Sequence, residues 1–198
     1  MNLVLASSSE RRRELLHRLG LLFEVVPADV DESRHPSEPP AAYVERLARA
    51  KAAWVAGPER LVIGADTTVV HDGHVLGKPG HPEEARSMLR RLQGERHDVF
   101  TGIAVASWDG GVRVESMVDV TEVSMVPMTD DEIADYVDSG EPMDKAGGYA
   151  LQGVGGLYVD SIRGSAFTVI GLPIHLLPRL IARGGHELST FRIGPDVG

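Results

Sequence analysis

Six charged side chains combine cations with acids, and their types suit the chemistry of a phosphorylated ligand. The six are Arg11, Arg12, Glu32, Lys51, Asp66 and Lys78. Several lysine and arginine groups can neutralise a polyphosphate, while two carboxylates can hold a divalent ion or activate a water molecule. Magnesium prefers one or two carboxylates together with phosphate oxygens. The residue types therefore indicate a site for a small anionic ligand.

The arginines stand where a helix is predicted to begin. The segment LASSSERRRELL, residues 5–16, leads from an apolar strand into a helix. Ser7 or Ser9 can act as its N-cap, and Ser7 with Glu10 fits the S-x-x-E capping box. A helix N-terminus offers unpaired backbone N–H groups, so guanidinium groups added there make a receptor for phosphate. The alternative is that these arginines are solvated surface residues.

Lys51 falls near the centre of an apolar helix face. At 100° per residue, the helix predicted over about residues 40–56 places on this face Tyr43, Val44, Leu47, Ala48, Ala50, Trp54 and Val55. A lysine in this position predicts a cation at the rim of a buried anionic site. The alternative is an amine that snorkels past Trp54 to solvent.

The two acids are predicted at the ends of strands. The apolar run RLVIGAD, residues 60–66, is typical of a central strand covered on both faces, and it places Asp66 at the C-terminal end. Ligands of open α/β sheets bind at that end. Glu32 lies in the polar loop after a second strand, predicted over 21–30. The alternative for Asp66 is an acid that caps a turn.

The rest of the chain reads as strands and helices in alternation. The predicted elements are a hairpin over 67–76 that turns at Asp72-Gly73, a helix from Pro82 to Gly94, strands over about 98–107 and 112–126, a helix capped by Thr129 and Glu132, a glycine-rich loop over 140–156, strand material from 157 onward, and a helix to about 183. We expect one domain over 1–198, with a C-terminal tail from about 184.

Composition excludes several classes of protein. The chain has 198 residues, 42% of them hydrophobic, no cysteine and a net charge of −9. A thiol nucleophile, a disulfide or a cysteine-based metal site is therefore excluded, and the charge disfavours nucleic acid polymers and anionic membranes. With no apolar run long enough to span a bilayer and no signal segment, we expect a cytoplasmic protein. Walker A, dinucleotide-binding, zincin and hydrolase-elbow motifs are also absent.

Two further features have ordinary explanations. His71 and His74 flank a turn at a spacing compatible with metal binding, but surface histidines of hairpins are much commoner. Lys145 follows Asp144 and could simply pair with it. Neither feature is taken as part of the candidate site.

Five motifs together resemble one protein family. They occur in the family's order and cover residues 3 to 183: LASSSERRRELL, VIGADTTVV with LGKP, HDVFTGIAV, EPMDKAGGYALQG and TVIGLPI. The chain resembles the Maf family of nucleoside triphosphate pyrophosphatases. The resemblance implies an α/β fold like that of inosine triphosphate pyrophosphatases, with a long curved mixed sheet and two lobes around a cleft. It also implies hydrolysis of a nucleoside triphosphate to the monophosphate and pyrophosphate with a divalent metal, Mg²⁺ or Mn²⁺.

The resemblance also implies roles for individual residues. It implies that Asp66 and Glu32 take part in catalysis and bind the metal. It assigns phosphate binding to Ser7, Arg12, Lys51 and Lys78. It assigns base preference to Arg11, Thr67 and Gln152. The last set resembles the branch that prefers dTTP and UTP. One departure is Glu10, which stands where family members commonly have a proline, so it adds negative charge near the expected phosphate site.

Two other functions remain open from the sequence. One is a nucleotide-sensing regulator of septum formation with little or no turnover, which Glu10 would favour. The other is the same reaction on modified purine triphosphates, a form of nucleotide house-cleaning. The substrate is the expected partner, and the charge is compatible with a homodimer.

Overall fold

The computed structural model of the chain describes residues 1–192. Over these residues the strands are β1 Asn2–Leu5, β2 Glu24–Val25, β3 Arg60–His71, β4 His74–Leu76, β5 Arg96–Trp108, β6 Val112–Met125 and β7 Val159–Arg163. The α-helices are α1 Glu10–Arg18, α2 Pro40–Val55, α3 Pro82–Leu92, α4 Asp130–Asp138, α5 Ala166–Ile170 and α6 Leu177–Arg183. Short 3₁₀ turns lie at Glu141–Asp144, Ala146–Gly148, Val154–Tyr158, Ile174–Leu176 and Leu188–Phe191.

The strands form one mixed sheet. Its order is β2-β1-β3-β5-β6-β7, and β4 pairs with β3. β1 is parallel to both β2 and β3, whereas the β3/β4 and β6/β7 pairs are antiparallel. β1 is buried from Leu3 to Leu5 and β3 from Leu61 to Asp66, as expected for strands covered on both faces. The predicted α/β fold is confirmed.

Helix α2 packs directly onto the sheet because two strand positions lack a side chain. A Cβ atom on Gly64 of β3 would lie 2.4 Å from the carbonyl oxygen of Ala48, and one on Gly102 of β5 would lie 2.3 Å from that of Val44. Real side chains do not approach backbone atoms this closely, so only glycine permits the contact. This contact fixes the distance between α2 and β3 close to Lys51, which lies one helical turn after Ala48.

Several local predictions are confirmed. The β3–β4 hairpin turns at Asp72 and Gly73, both with positive φ, and pairs His71 with His74. The N-terminus of α4 has the predicted capping box, in which the Thr129 hydroxyl accepts from the Glu132 N–H and Glu132 accepts from the Thr129 N–H.

The strand boundaries differ from the predictions in two places. β3 continues to His71, so Asp66 lies in the middle of a twelve-residue strand rather than at its C-terminal end. The prediction ended the strand at the first acid, but a buried acid can be accommodated within a strand when charged partners meet it. The second strand was expected over 21–30, and β2 contains only Glu24–Val25.

The predicted capping box at the start of α1 is wrong. The N-cap is Ser9, without a side-chain hydrogen bond, and the Ser7 hydroxyl accepts from the Ser9 N–H at 3.2 Å. Ser7 precedes the N-cap by two residues, so it is too far from the free N–H groups of the first turn. The Glu10 side chain is exposed and pairs with Arg13.

The C-terminal half also departs from its predictions. The glycine-rich segment 140–156 contains three short 3₁₀ turns instead of an unstructured loop, and residues 166–170 form helix α5 instead of strand. The expected tail is wrong over residues 184–192, where Phe191 is buried and its carbonyl accepts from the Leu22 N–H at 2.8 Å. The last six positions of that expected tail lie outside the described residues.

The chain divides into two compact units. The first contains residues 1–66, 101–119 and 171 onward, and the second contains 67–100 and 120–170. The first unit has a core cluster of small and β-branched residues: Val4, Ala6, Ala48, Ala52, Val55, Val62, Ala104 and Ala106. The second has a larger cluster in which α3, α4 and neighbouring strands pack, including Leu89, Leu92, Val99, Val123, Ile133 and Tyr136. Across residues 1–192, every helix falls short of the length and apolar character needed to cross a membrane.

Candidate active site

Lys51 holds two acids together in the first unit. Its Nζ lies 2.7 Å from Asp66 Oδ1 and 2.6 Å from Glu32 Oε1. Helix α2 supplies the lysine, strand β3 supplies Asp66, and the loop after β2 supplies Glu32. Lys51 is only 8% exposed and Asp66 likewise, whereas half of the Glu32 side chain is exposed. The Lys51 amine thus faces the two acids, so the alternative in which it snorkels past Trp54 to solvent is wrong, while its role toward a ligand stays a prediction.

Asp66 has an unusual proton affinity for an aspartate. Burial raises its pKa above the ordinary value, and the charge of Glu32 adds to the rise. Lys51 and Arg12 oppose the rise through their positive charges, and Lys51 also through its hydrogen bond. A carboxyl group held in this way binds a proton more readily than a solvated aspartate does, which suits a group that must accept a proton.

Arg12 is buried beside this cluster. Its Nε donates to the Gly171 carbonyl at 2.8 Å, and its Nη1 donates to the Ala65 carbonyl at 2.8 Å and to Ser7 Oγ at 3.2 Å. Burial lowers the pKa of Arg12, and the charge of Asp66 opposes that effect. Because Ala65 precedes Asp66 on β3, these bonds fix the guanidinium next to the acid. The solvated-surface alternative is therefore wrong for Arg12, although it describes the exposed Arg13.

Three side chains that the sequence did not single out hold the Glu32 loop against α2. The Tyr43 hydroxyl donates to the Glu32 carbonyl at 2.9 Å. Arg46 donates to the Ser33 carbonyl at 2.9 Å and forms a two-point pair with the Glu38 carboxylate, Nε to Oε1 at 2.7 Å and Nη2 to Oε2 at 2.9 Å. The Arg46 hydrogen bond lowers the pKa of Glu38 to about 2.

Only part of this attachment of the Glu32 loop could be predicted from the sequence. Tyr43 and Arg46 are three residues apart and so share a helix face, and Glu38 lies just before the helix. Their contacts with Glu32 and Ser33, however, are made to backbone carbonyl groups. Every residue has a backbone carbonyl group, so the residue types in the sequence could not predict these contacts.

The remaining site candidates belong to different parts of the chain. Arg11 follows Glu10 in the first turn of α1, and its charge contributes to lowering the pKa of Arg12. Thr67, Lys78 and Gln152 belong to the second unit. Thr67 lies on β3, while Lys78 and Gln152 are exposed on the segments before α3 and after Gly148. The roles of these residues stay predictions.

Lys145 and His74, which the sequence analysis set aside, make local contacts. The Lys145 amine donates to the Glu141 carbonyl at 2.8 Å and pairs with Asp144. His74 Nδ1 lies 2.9 Å from the Asp72 carbonyl oxygen within the turn. No group of three or more histidine, cysteine or acidic side chains within residues 1–192 could hold a metal ion.

Glu32 and Asp66 are the pair of acids suited to a divalent cation. Their oxygens meet at one point, now taken by the Lys51 ammonium, and carboxylate oxygens suit Mg²⁺ or Mn²⁺. Two protein ligands are enough only if the ligand's own oxygens complete the coordination. The donor set therefore fits a cation that arrives with a phosphate.

Fold and cluster together define an α/β protein in which two acids meet a buried lysine, with a buried arginine beside them. A family model described as Maf-like protein matches residues 2–184, so the chain belongs to the Maf family. The resemblance seen in the sequence is thereby confirmed.

Similar proteins cover almost the whole chain. One is a dTTP/UTP pyrophosphatase of Anaeromyxobacter dehalogenans strain 2CP-C, 51% identical over 94% of this chain and 95% of that protein. Another is a dTTP/UTP pyrophosphatase of Desulforamulus reducens, 51% identical over 94% of this chain and 98% of that protein. Among solved structures, a HAM1 protein from Coxiella burnetii has a TM-score of 0.43 and 16% identity, over 63% of this chain and 73% of that chain.

Proposed function

We propose that this protein hydrolyses nucleoside triphosphates, dTTP and UTP first among them, to the monophosphate and pyrophosphate. The observation that carries the proposal is the cluster in which Lys51 joins Glu32 to Asp66, with the Arg12 guanidinium beside it. The proposed hydrolysis uses both kinds of group, the acids to hold a metal and accept a proton and the cations to neutralise the phosphate oxygens. The names of the relatives at 51% identity support the same reaction.

In the proposed reaction, water attacks the α-phosphorus. A bond forms between the water oxygen and phosphorus, the bond from phosphorus to the bridging oxygen breaks, and pyrophosphate leaves. Asp66 accepts the proton from the water, and burial, which raises its pKa, supports this role. Lys51 and Arg12 stabilise the negative charge that grows on the phosphate oxygens, a contribution that is largest where water is excluded.

Glu32 and Asp66 would also hold a divalent cation, Mg²⁺ or Mn²⁺. Such an ion supplies charge neutralisation of the phosphate oxygens and orientation of the attacking water. The two acids serve this purpose because their oxygens already meet at one point. Lys51 would then be free to shift its hydrogen bonds toward phosphate.

The other assignments rest on the family resemblance. Ser7 and Lys78 are proposed to bind phosphate, and Arg11, Thr67 and Gln152 to select the base. The burial of Ser7 and its contact with Arg12 support its part in the phosphate site.

The experiment that tests the function is release of pyrophosphate from a panel of nucleotides. We expect turnover of dTTP and UTP with Mg²⁺ or Mn²⁺, and a loss of about 100-fold or more in Asp66→Asn. The matched control is Asp72→Asn, which makes the same change at an exposed turn. Asparagine, like the aspartate it replaces, readily adopts the positive φ of that position. The control should retain wild-type turnover.

Two outcomes would replace this proposal. Turnover restricted to methylated GTP or ITP would assign the same reaction to modified purine triphosphates. Binding of dTTP without release of pyrophosphate would favour a nucleotide-sensing regulator, and Asp66→Asn would then bind as the wild type does.

A further inference from the structure

Two side chains of the second unit hold the segment that carries Gln152. The Glu141 carboxylate accepts from the Val154 N–H through Oε2 at 3.0 Å and from the Gly155 N–H through Oε1 at 3.0 Å. The Tyr136 hydroxyl, which is at the end of α4, donates to Glu141 Oε1 at 2.7 Å and accepts from the Ala150 N–H at 3.1 Å. The segment is thus attached at both ends.

The glycines of this segment allow its backbone to lie against those two side chains. A Cβ atom on Gly153 would lie 2.2 Å from Glu141 Oε2, and one on Gly155 would lie 2.3 Å from the Tyr136 hydroxyl oxygen. Any larger residue would displace the carboxylate or the phenol. The glycine-rich composition therefore follows from close backbone packing rather than from a need for flexibility.

The protonation states of Glu141 and Tyr136 at neutral pH favour these hydrogen bonds. Partial burial acts to raise the pKa of Glu141, but the N–H groups of Gly155 and Val154 and the Tyr136 hydroxyl outweigh it, so the pKa lies below its ordinary value. Burial and the neighbouring Glu141 charge raise the pKa of Tyr136. The carboxylate is therefore charged and the phenol protonated, which is the combination that the observed hydrogen bonds require.

Gln152 lies between the two attachments and is exposed. Only Leu151, Gln152 and Gly153 separate the Ala150 anchor from the Val154 anchor, so fixing these ends restricts where the Gln152 amide can point. That amide offers both a donor and an acceptor, the groups needed to distinguish the carbonyl and N–H edge of thymine from the amine edge of cytosine.

We infer that Tyr136 and Glu141 are positioning residues for nucleobase selection, because they fix the backbone on which Gln152 is carried. Neither residue touches the base in this inference, and each acts through the peptide groups of residues 150 to 155. The inference rests on the proposed function, and within it on the role of Gln152. The competing explanation is that the two residues only stabilise the second unit.

A double-mutant cycle separates the two explanations. Tyr136→Phe and Glu141→Gln are each made alone and together with Gln152→Ala, and kcat/KM is measured for dTTP and for dCTP. We expect each single variant to lower the dTTP/dCTP ratio by about tenfold, since misplacement of a recognition group weakens only the contacts it makes. In the Gln152→Ala background, the same variants should leave the ratio unchanged.

The control for stability is Glu132→Ala. This change breaks the capping box at the other end of α4 and should lower Tm, but it leaves the Gln152 segment untouched. It should therefore keep the wild-type dTTP/dCTP ratio. Amide exchange measured by NMR gives a readout independent of activity: the Val154 and Gly155 amides should exchange faster in Glu141→Gln.

Failure of the inference and failure of the proposed function are distinguishable. An active wild type whose ratio is unchanged in Tyr136→Phe, or whose ratio falls further when Tyr136→Phe is added to Gln152→Ala, overturns the inference alone. A wild type that releases no pyrophosphate overturns the proposed function, and the same cycle is then read as the ratio of Kd values for dTTP and dCTP. A protein that binds neither nucleotide overturns both.

Discussion

Asp66 combines burial with contacts that favour its charged form, and burial outweighs them. Its pKa is raised although Lys51 lies within hydrogen-bond distance and Arg12 is close by. The folded protein therefore binds a proton at Asp66 more tightly than the unfolded chain does. Over the pH range between the ordinary aspartate pKa of 3.8 and the raised value, the native state holds more protons than the unfolded state.

This difference predicts a pH dependence of stability. Because the native state binds the extra proton, the free energy of unfolding contributed by Asp66 falls as pH rises through that range, and stays constant above it. In Asp66→Asn this component is absent. Urea unfolding between about pH 4 and pH 8 should show that the stability of wild type relative to Asp66→Asn is larger at the acid end. Parallel curves for the two proteins would contradict the raised pKa.

At the level of single residues, the sequence was informative where a residue was out of place. Lys51 on an apolar helix face and Asp66 after an apolar run both violated the expected pattern, and the structure places them in contact. Tyr43 matched the apolar face on which it was predicted, and Arg46 is an ordinary charged residue of a helix, so neither stood out as a candidate. Their contribution depends on backbone carbonyls of a loop whose path the sequence does not specify.

Helix α2 organises the first unit on two sides. Its buried side carries Lys51 and lies close to the sheet at Gly64 and Gly102. Its first two turns carry Tyr43 and Arg46, which hold the Glu32 loop. One helix thus sets the position of the central cation and of one of the two acids that meet it.

Loss of the loop attachment should therefore reduce activity without unfolding the protein. We expect Arg46→Gln to lower kcat/KM for dTTP by about 10- to 100-fold, because Glu32 would lose its fixed position. Arg49→Gln is the matched control, since Arg49 lies one turn along α2 and donates to the Val114 carbonyl and Ser116 instead. Equal activity of the two variants, with unchanged circular dichroism, would show that the Glu32 loop needs no support from Arg46.

Elements with a strong hydrophobic periodicity or with distinctive turn residues were predictable from the sequence, whereas those set by tertiary contacts were not. Helix α2 and the Asp72-Gly73 hairpin follow from apolar spacing and turn chemistry. The length of β3 beyond Asp66 and the 3₁₀ turns of residues 141–158 do not. In the latter segment the backbone follows the Tyr136 and Glu141 side chains, and those contacts are invisible in local composition.

The whole molecule carries a net charge of −9, yet it buries two cations in its first unit. An exposed basic patch would attract any polyanion, whereas Arg12 and Lys51 are both buried. The overall charge opposes long polyanions, so binding of a small anionic ligand would depend on these two cations rather than on the charge of the whole surface. The proposed hydrolysis depends on their position beside two acids.

The most direct measurement is to hydrolyse dTTP in H₂¹⁸O and locate the label by mass spectrometry. We expect dTMP and pyrophosphate as products, with one ¹⁸O in dTMP, because in the proposed reaction water attacks the α-phosphorus. In Asp66→Asn, the rate at which labelled dTMP forms should fall by about 100-fold or more. Label in pyrophosphate, or release of dTDP and inorganic phosphate, would contradict attack of water on the α-phosphorus.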